Sequence, residues 1–459
     1  MDFIKILFRN INVAGTSMSP HKVQPLDLGP VLGHSTSSSV KVWGRSNNTD
    51  QQGILEIKNP DNNVSYFELF SFDQALDYAG IIEVNDVKWK LAMANGKRAL
   101  LYRVGCIDKS LSLFGYELNL DWSGIEYIPT RLAPFGQDSS FGFVLGSCRH
   151  SDLEILDNSH DIRCSDVIEN SKHDYNLGKP DFMLLLGDQV YADHPGGGVL
   201  SLLKQRKLQK ESHYQSHYHK AWGRPNFSKI VSRYPSLMMW HDHDVLNNGS
   251  VDGKNDRSWI TTAYENGKKY FSAYQSVLNP DTYNDSFYYH FDYGVGDFFV
   301  MDVRSDKLPD KCLLGDKQKD RFENWLLNDS NKIKFIVSPV SVATDTDSDH
   351  LFNGAKDCWE IFPDERKWLC ELIDEYTERH PGRPVILLSG DTQGSYGALI
   401  INKPDDGYPS KLTAPFIGNE DELMQGHNFC HVSVSNEKVV SNWYSEHGQL
   451  LHSVAIDVC

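Results

Sequence analysis

Short apolar runs that end directly in strings of polar residues constrain the fold of this chain more than any other sequence feature. Such runs lie at residues 141–146, 182–186, 237–240 and 385–388, and stretches of helical periodicity lie between them. This order is typical of an α/β fold, in which the loops at the strand ends carry function. The four runs lead into these strings: Gly146-Ser147-Cys148-Arg149, Gly187-Asp188-Gln189-Val190-Tyr191-Ala192-Asp193, Trp240-His241-Asp242-His243-Asp244 and Ser389-Gly390-Asp391-Thr392-Gln393.

The first third of the chain has a different pattern, in which strand-like runs alternate with polar breaks. The runs lie at residues 39–43, 53–57, 66–69, 80–84 and 99–104. Evenly spaced short strands with few helix signals indicate a β-sandwich of the immunoglobulin or fibronectin kind.

The change between the two patterns predicts the domain boundaries. Residues 129–140 form a polar stretch with Pro134 and Gly136, which is typical of a linker. The chain has 459 residues, and a single core stops growing at roughly 250–300. We therefore predict an N-terminal extension at residues 1–21, an all-β sandwich domain at residues 22–135 and a larger α/β domain at residues 136–459.

The charge of the chain limits its partners. A formal net charge of −17 argues against a broad basic surface for a nucleic-acid scaffold or an anionic membrane. A substrate that carries phosphate would then need a local positive centre, and bound metal ions can supply one.

No segment has the features of a membrane anchor or an export signal. The apolar run at residues 3–8 contains Lys5 and is followed by Arg9, which leaves it shorter than the roughly 7–15 uninterrupted residues of a signal-peptide core. No stretch approaches the roughly 20 apolar residues that span a bilayer. The eight cysteines are scattered without close pairs, as expected of reduced thiols. These features predict a cytoplasmic protein.

The polar strings together bring many carboxylates to one place. Strand ends on one edge of such a sheet converge, so Asp188, Asp242, Asp244 and Asp391 are expected to face one cleft. These side chains repel one another and ionise together only if cations neutralise them. Two metal ions about 3.5–4 Å apart would do so, and would also stabilise the attacking and leaving oxygens of a phosphoryl transfer.

Residues 28–458 resemble the alkaline phosphatase D, or PhoD-like, branch of the calcineurin-like metallophosphoesterases. The resemblance covers nearly the whole chain and implies an α/β sandwich of two central mixed sheets flanked by helices, after an N-terminal all-β sandwich. It rests on residues 29–37, the Gly-Ser-Cys string, Gly-Asp-x-x-Tyr-x-Asp, Tyr234-Pro235 before Trp-x-Asp-His-Asp, Asp302-Val303-Arg304-Ser305, Pro363-Asp364-Glu365-Arg366 and the late Ser-Gly-Asp string. The twin-arginine export signal common among bacterial relatives is absent.

The resemblance also implies a ferric centre. Asp188 would bridge two metals, and Cys148 and Tyr191 would complete the site of Fe³⁺, which thiolate and phenolate both stabilise. The residue-based alternatives are an ordinary buried thiol for Cys148 and a packing aromatic for Tyr191.

A divalent partner is implied beside the iron. Asp242 and Asp391 would bind it, and in this branch it resembles Ca²⁺ held by oxygen ligands. Many members carry histidine where this chain has Gln393, whose amide oxygen can ligate a hard cation less strongly than imidazole. Zn²⁺, Mn²⁺ and Mg²⁺ therefore remain alternatives.

By the same resemblance, His243 would sit beside the phosphate with Asp244 as its partner. Arg149 could bind phosphate oxygens through its forked guanidinium, with an exposed surface arginine as the equal alternative. We expect an ion pair between Arg304 and Asp302.

Other histidines are expected to have no ligand role. His241 and His194 match no position of the family that binds metal. His213, His217 and His219 have helical spacing, and a solvated polar face is the expected interpretation.

The resulting hypothesis is hydrolysis of a small phosphate ester, either monoester or diester, by a metal-bound hydroxide at a multinuclear site. His243 would stabilise the transition state or protonate the leaving group. The alternative is a degenerate member that binds a phosphate ligand or acts as a scaffold. The sequence does not indicate the oligomeric state.

Overall fold

The computed structural model of this protein divides into two compact units, one comprising Met1–Phe135 and Ser228–Pro235, the other Gly136–Phe227 and Ser236–Cys459. The first division falls where the sequence predicts a boundary, and the assignment of independent domains stays a prediction. The structure describes residues 19–111, 119–136, 139–147, 167–168, 179–193, 206–246, 258–283, 286–308, 311–340, 342, 359–390, 428–445 and 447–458. The apolar run at residues 3–8 and His194 lie outside them.

The first unit is a β-sandwich. Its described elements are β1 (His21–Lys22), β2 (Leu28–Ser35), β3 (Val40–Arg45), β4 (Gln51–Lys58), β5 (Ser65–Phe70), β6 (Ala79–Val84), helix α1 (Val87–Lys90), β7 (Ala99–Asp108), β8 (Leu120–Asp121) and β9 (Ile128–Arg131). One sheet has the order β2-β3-β6 and the other β5-β4-β7-β9, while β1 pairs with β8. Val42 and Ile82 from the first sheet share a buried core with Leu55 and Val104 from the second.

All five strand-like runs predicted in this region are strands, but the predicted linker is partly wrong. Residues 128–131 form β9, whose Pro129 lies opposite Leu101 of β7. Proline has no N–H to donate and is confined to sheet edges. Because β9 is an edge strand, Pro129 is accommodated there, and the turn-like composition hid the strand.

The second unit has two mixed sheets. Its described strands are β10 (Phe141–Gly146), β11 (Phe182–Leu185), β12 (Ser236–Met238), β13 (Tyr289–Tyr293), β14 (Gly296–Val300), β15 (Ile333–Ser338), β16 (Val385–Ser389), β17 (Asn428–Val434), β18 (Lys438–Ser445) and β19 (Leu450–Asp457). The strand orders are β12-β11-β10-β17-β18-β19 and β13-β14-β15-β16. Strands β10, β11 and β12 are parallel, as are β14, β15 and β16.

Phenylalanine side chains join the two sheets. Phe143 of β10 lies with its ring centroid 5.6 Å from that of Phe298 in β14, and Phe182 of β11 lies 5.9 Å from Phe298. Phe299, the next residue of β14, points the other way because side chains alternate along a strand. Its ring lies 5.2 Å from that of Phe322, on the outer face of the sheet.

The described helices of the chain after α1 are α2 (Glu211–Trp222), α3 (Pro225–Val231), α4 (Ser258–Tyr274), α5 (Asp316–Leu326) and α6 (Pro363–Arg379). The predicted apolar faces of α5 and α6 are confirmed: Phe322 is fully buried, and its ring lies 5.7 Å from that of Trp368. No helix among the described residues is long and apolar enough to cross a membrane.

Candidate metal centre

A strained turn after β11 presents the first carboxylate of the site. Gly187 has φ +97° and Asp188 has φ 56°, so two consecutive residues adopt left-handed backbone. Such a conformation is uncommon for a residue other than glycine and persists only where surrounding contacts hold it. Strand β12 runs parallel to β11 and leads to Asp242 at the same edge. The predicted convergence of these two strand ends is confirmed.

Asp244 holds this turn. Its carboxylate is fully buried and accepts from the backbone N–H groups of Asp188 at 3.2 Å and Val190 at 3.2 Å. It also accepts from the backbone N–H of His241 at 3.0 Å and from Nε2 of Gln275 at 3.0 Å. Burial, followed by the charge of Asp188, raises the pKa of Asp244 to about 7. Asp244 therefore joins the two loops that carry the candidate ligands.

The expected pairing of His243 with Asp244 is wrong. Nδ1 of His243 lies 2.8 Å from Oδ1 of Asp193 instead, because the acceptor oxygens of Asp244 are turned toward backbone N–H groups. Burial lowers the pKa of His243, but the hydrogen bond to Asp193 and the charges of Asp188, Asp193 and Asp242 outweigh it and raise that pKa to about 10.

The backbone between Tyr191 and Asp193 is fixed around His243. The Tyr191 ring stacks on the His243 ring, with centroids 4.4 Å apart. The N–H of Ala192 donates to the His243 carbonyl oxygen at 2.9 Å, and the Ala192 carbonyl oxygen lies 2.6 Å from Nε2 of His213 in α2. The expectation that His213 belongs to a solvated face is wrong, since its ring is partly buried against this loop.

Potential ligand atoms of Asp188, Asp242 and His243 all lie within 4.8 Å of one another. Burial would raise the pKa of Asp242, but the His241 ring and the Arg304 guanidinium hold it well below its ordinary value. The buried carboxylate oxygens of Asp188 and Asp242 are donors that suit a hard cation. The arrangement therefore fits the metal ions that the family resemblance implies.

His241 and Arg304 form a buried pair behind these carboxylates. Nδ1 of His241 lies 2.9 Å from Oδ1 of Asp242, and Nε2 lies 2.5 Å from Nη2 of Arg304. The expected ion pair between Arg304 and Asp302 is not formed; Arg304 instead donates its backbone N–H to Asp302 at 2.9 Å.

Several predicted site residues lie outside the residues that the structure describes: Cys148, Arg149, Asp391 and Gln393. Their roles stay predictions. The ligand role of Tyr191 also stays a prediction, since its described contact is the stacked ring.

Sequence reasoning missed the role of Asp193 and the contact between Arg304 and His241. Asp193 stands within the Gly-Asp-x-x-Tyr-x-Asp string, two positions after Tyr191, and that spacing was the available signal. Nothing in the sequence indicated that Arg304 contacts His241, because their contact joins loops of different sheets.

Comparisons with known proteins identify the fold and the family. A sequence model of the PhoD-like phosphatase family matches residues 166–439. The solved structure of PhoD has a TM-score of 0.66 at 14% identity and covers 97% of this chain and 92% of its own. The purple acid phosphatase PPD1 from yellow lupin (Lupinus luteus) seeds has a TM-score of 0.58 at 12% identity, covering 95% and 74%. No curated protein gives a significant match.

The structural likenesses confirm the predicted fold, a calcineurin-like sandwich of two mixed sheets after an N-terminal β-sandwich. Because the family match spans more than half of the chain, this protein belongs to the PhoD-like phosphatase family.

Proposed function

We propose that this protein hydrolyses small phosphate esters at a centre of two or more metal ions. The observation that carries the proposal is the buried pair of carboxylates of Asp188 and Asp242 beside the partly exposed ring of His243, with candidate ligand atoms of all three residues within 4.8 Å of one another. Its position at the ends of parallel strands is where α/β folds bind ligands. Membership of the phosphatase family supports a phosphate ester as substrate.

The proposed set of metal-binding residues is supported by the family resemblance. Asp188 would bridge the ions, and Asp242 would bind the divalent one. Cys148, Tyr191, Asp391 and Gln393 are proposed as the remaining ligands, with Fe³⁺ and Ca²⁺ as the ions. Bound cations of this kind activate water and neutralise charge on the phosphoryl oxygens.

His243 is proposed to face the substrate. Its side chain is 23% exposed, while that of Asp193 is 3% exposed, so the ring lies at the accessible side of the site. Asp193 occupies Nδ1 at 2.8 Å. The other ring nitrogen, Nε2, can then donate a proton to the leaving oxygen or a hydrogen bond to a phosphate oxygen.

Asp193 and Tyr191 would fix the ring for this role. The carboxylate of Asp193 sets which nitrogen carries the permanent N–H, as acidic partners of histidine do in other active sites. The stacked Tyr191 ring limits rotation of the imidazole. A ring held at both places loses little entropy when the substrate binds.

The proposal is tested with p-nitrophenyl phosphate and bis-p-nitrophenyl phosphate. The purified protein should hydrolyse at least one of them, and Asp188→Asn should lose metal and turnover together because a neutral side chain cannot bridge two cations. Asp297→Asn is the matched control, since Asp297 is a buried carboxylate paired with Lys334 in β15 and should retain turnover. An Asp188→Asn protein with full metal content and normal turnover would contradict the proposal.

A further inference from the structure

We infer that Arg304 fixes the ring proton of His241 on Nδ1, so that His241 orients the carboxylates of Asp188 and Asp242 and is itself excluded as a metal ligand. The inference has two parts. The expected effect on metal affinity rests on the proposed metal centre, whereas the position of the ring proton follows from hydrogen bonds within the protein alone.

The geometry places one ring between three charged side chains. The His241 side chain is 1% exposed. Its Nδ1 lies 3.1 Å from each carboxylate oxygen of Asp188 and 2.9 Å from Oδ1 of Asp242. Its Nε2 lies 2.5 Å from Nη2 of Arg304.

Donor and acceptor chemistry then decides the tautomer. A guanidinium carries only N–H donors and does not deprotonate in proteins. Nε2 of His241 must therefore present its lone pair to Arg304. In a neutral imidazole the other nitrogen carries the proton, which puts an N–H on Nδ1, facing the carboxylate oxygens of Asp188 and Asp242.

This proton also excludes metal binding by His241. A metal ligand needs a lone pair, and the ring has only one, which Arg304 occupies. Both His241 and His243 direct Nδ1 at carboxylate oxygens, and the contact that distinguishes His241 is the one between its Nε2 and the Arg304 guanidinium.

The position of Arg304 is itself fixed. Asp302 accepts from the backbone N–H of Arg304 at 2.9 Å and from Nε1 of Trp240 at 2.9 Å. Trp240 directly precedes His241, so one carboxylate holds both the loop that carries the arginine and the loop that carries the histidine. The Arg304 side chain is 3% exposed, which leaves it little freedom to release the ring.

The expected function of the pair is to orient ligands. Groups that hydrogen-bond to metal ligands fix their geometry, and their loss typically lowers metal affinity about 10–100-fold. One N–H beside both Asp188 and Asp242 would set the rotation of both carboxylates relative to a shared cation. His241 and Arg304 are therefore positioning residues.

Two substitutions of His241 distinguish the contribution of Nδ1 from that of Nε2. In His241→Asn the amide N–H₂ replaces the Nδ1–H donor, whereas in His241→Gln the amide reaches the Nε2 position. Affinity of the full-length protein for Mn²⁺ is measured by competition with a chromogenic chelator. His241→Gln should bind about 10–100-fold more weakly, and His241→Asn should remain close to the parent. Equal loss in both variants would overturn the inference.

The tautomer is measured directly by nitrogen NMR of protein labelled in its histidines, before and after Mg²⁺ or Ca²⁺ is added. His241 should carry its proton on Nδ1 in both states, and Arg304→Met should shift the ring toward the other tautomer. Lys334→Met is the matched control because it also removes a buried cation, 2.6 Å from Asp297, and should leave the His241 signal unchanged. A deprotonated Nδ1 in the loaded protein would show that His241 is a ligand.

These readouts separate the inference from the proposed function. A protein with the predicted tautomer and the predicted difference between His241→Asn and His241→Gln, but without hydrolysis of phosphate esters, would refute the function and leave the inference standing. Hydrolysis of phosphate esters by a protein in which Nδ1 of His241 binds metal would support the function and refute the inference.

Discussion

Asp193 and Asp244 lie in one site but make different kinds of contact. Asp193 binds a side chain, the imidazole of His243. Asp244 binds backbone N–H groups of two loops. A carboxylate that accepts several backbone N–H groups stabilises loop geometry, whereas one that accepts from a single imidazole controls the position of that ring. The two residues should therefore differ when each is neutralised.

Single substitutions of Asp193 and Asp244 test whether one residue controls the His243 ring and the other stabilises the loops. Asp244→Asn places an N–H₂ group against backbone donors and should lower the free energy of unfolding by roughly 1–3 kcal/mol, as a buried unsatisfied polar group does. Asp193→Asn should lower turnover with a smaller change in stability. Chemical denaturation and turnover of the two variants, measured side by side, decide the matter. The reverse pattern would mean that the roles are exchanged.

His243→Ala tests whether His243 protonates the leaving oxygen. Positioned acid catalysis is typically worth about 10²–10⁴ in rate, so turnover should fall within that range while metal stoichiometry stays almost unchanged. The loss should be larger for an alkyl phosphate than for p-nitrophenyl phosphate, because p-nitrophenolate leaves with little protonation. An equal loss on both substrates would favour stabilisation of phosphoryl oxygens, and a loss of metal would make His243 a ligand.

The turn between β11 and Asp188 is the element on which the site depends most. A Cβ at Gly187 would lie 2.6 Å from Cβ of His241, and Gly187 has φ +97°. An alanine there combines backbone strain with a collision against the residue beside both carboxylates. The collision involves two Cβ atoms, so no side-chain rotation relieves it.

Gly187→Ala should therefore lower both stability and metal affinity. Gly124→Ala is the control, since Gly124 has φ +86° and no atom lies within 4 Å of the position that an alanine methyl group would take there. The control should lose only the roughly 1–2 kcal/mol of left-handed backbone strain and retain metal affinity. Thermal unfolding and chelator competition measure both quantities. Equal effects of the two substitutions would mean that the contact with His241 is unimportant.

Sequence patterns predicted the site at the level of elements and not of contacts. Parallel strands bring their ends to one edge, so the proximity of Asp188 and Asp242 followed from strand order alone. Asp193 faces His243 because the oxygens of Asp244 accept from backbone N–H groups, and no side-chain pattern encodes these contacts. The edge strand at Pro129 was likewise hidden, because its pairing with β7 is set by the sandwich and not by local propensity.

At the scale of the whole molecule, the chain has a net charge of −17 and a buried group of acidic side chains. Both features create a need for positive charge at the site. Carboxylates as close as Asp188 and Asp242 destabilise the folded chain unless positive charge lies among them. Arg304 and His243 supply part of it, and bound cations would supply the rest. Ions that bind the folded state alone also stabilise it, by about 2.7 kcal/mol at a concentration 100 times the dissociation constant.

Metal content and turnover measured in the same sample test the central claim most directly. Purified protein should contain iron and a second, divalent metal, and should be coloured if Cys148 or Tyr191 binds ferric iron. Treatment with a chelator should remove metal, colour and hydrolysis of p-nitrophenyl phosphate in parallel, and addition of iron and calcium should restore all three. A metal-free, colourless protein that hydrolyses the ester at an undiminished rate would contradict the account.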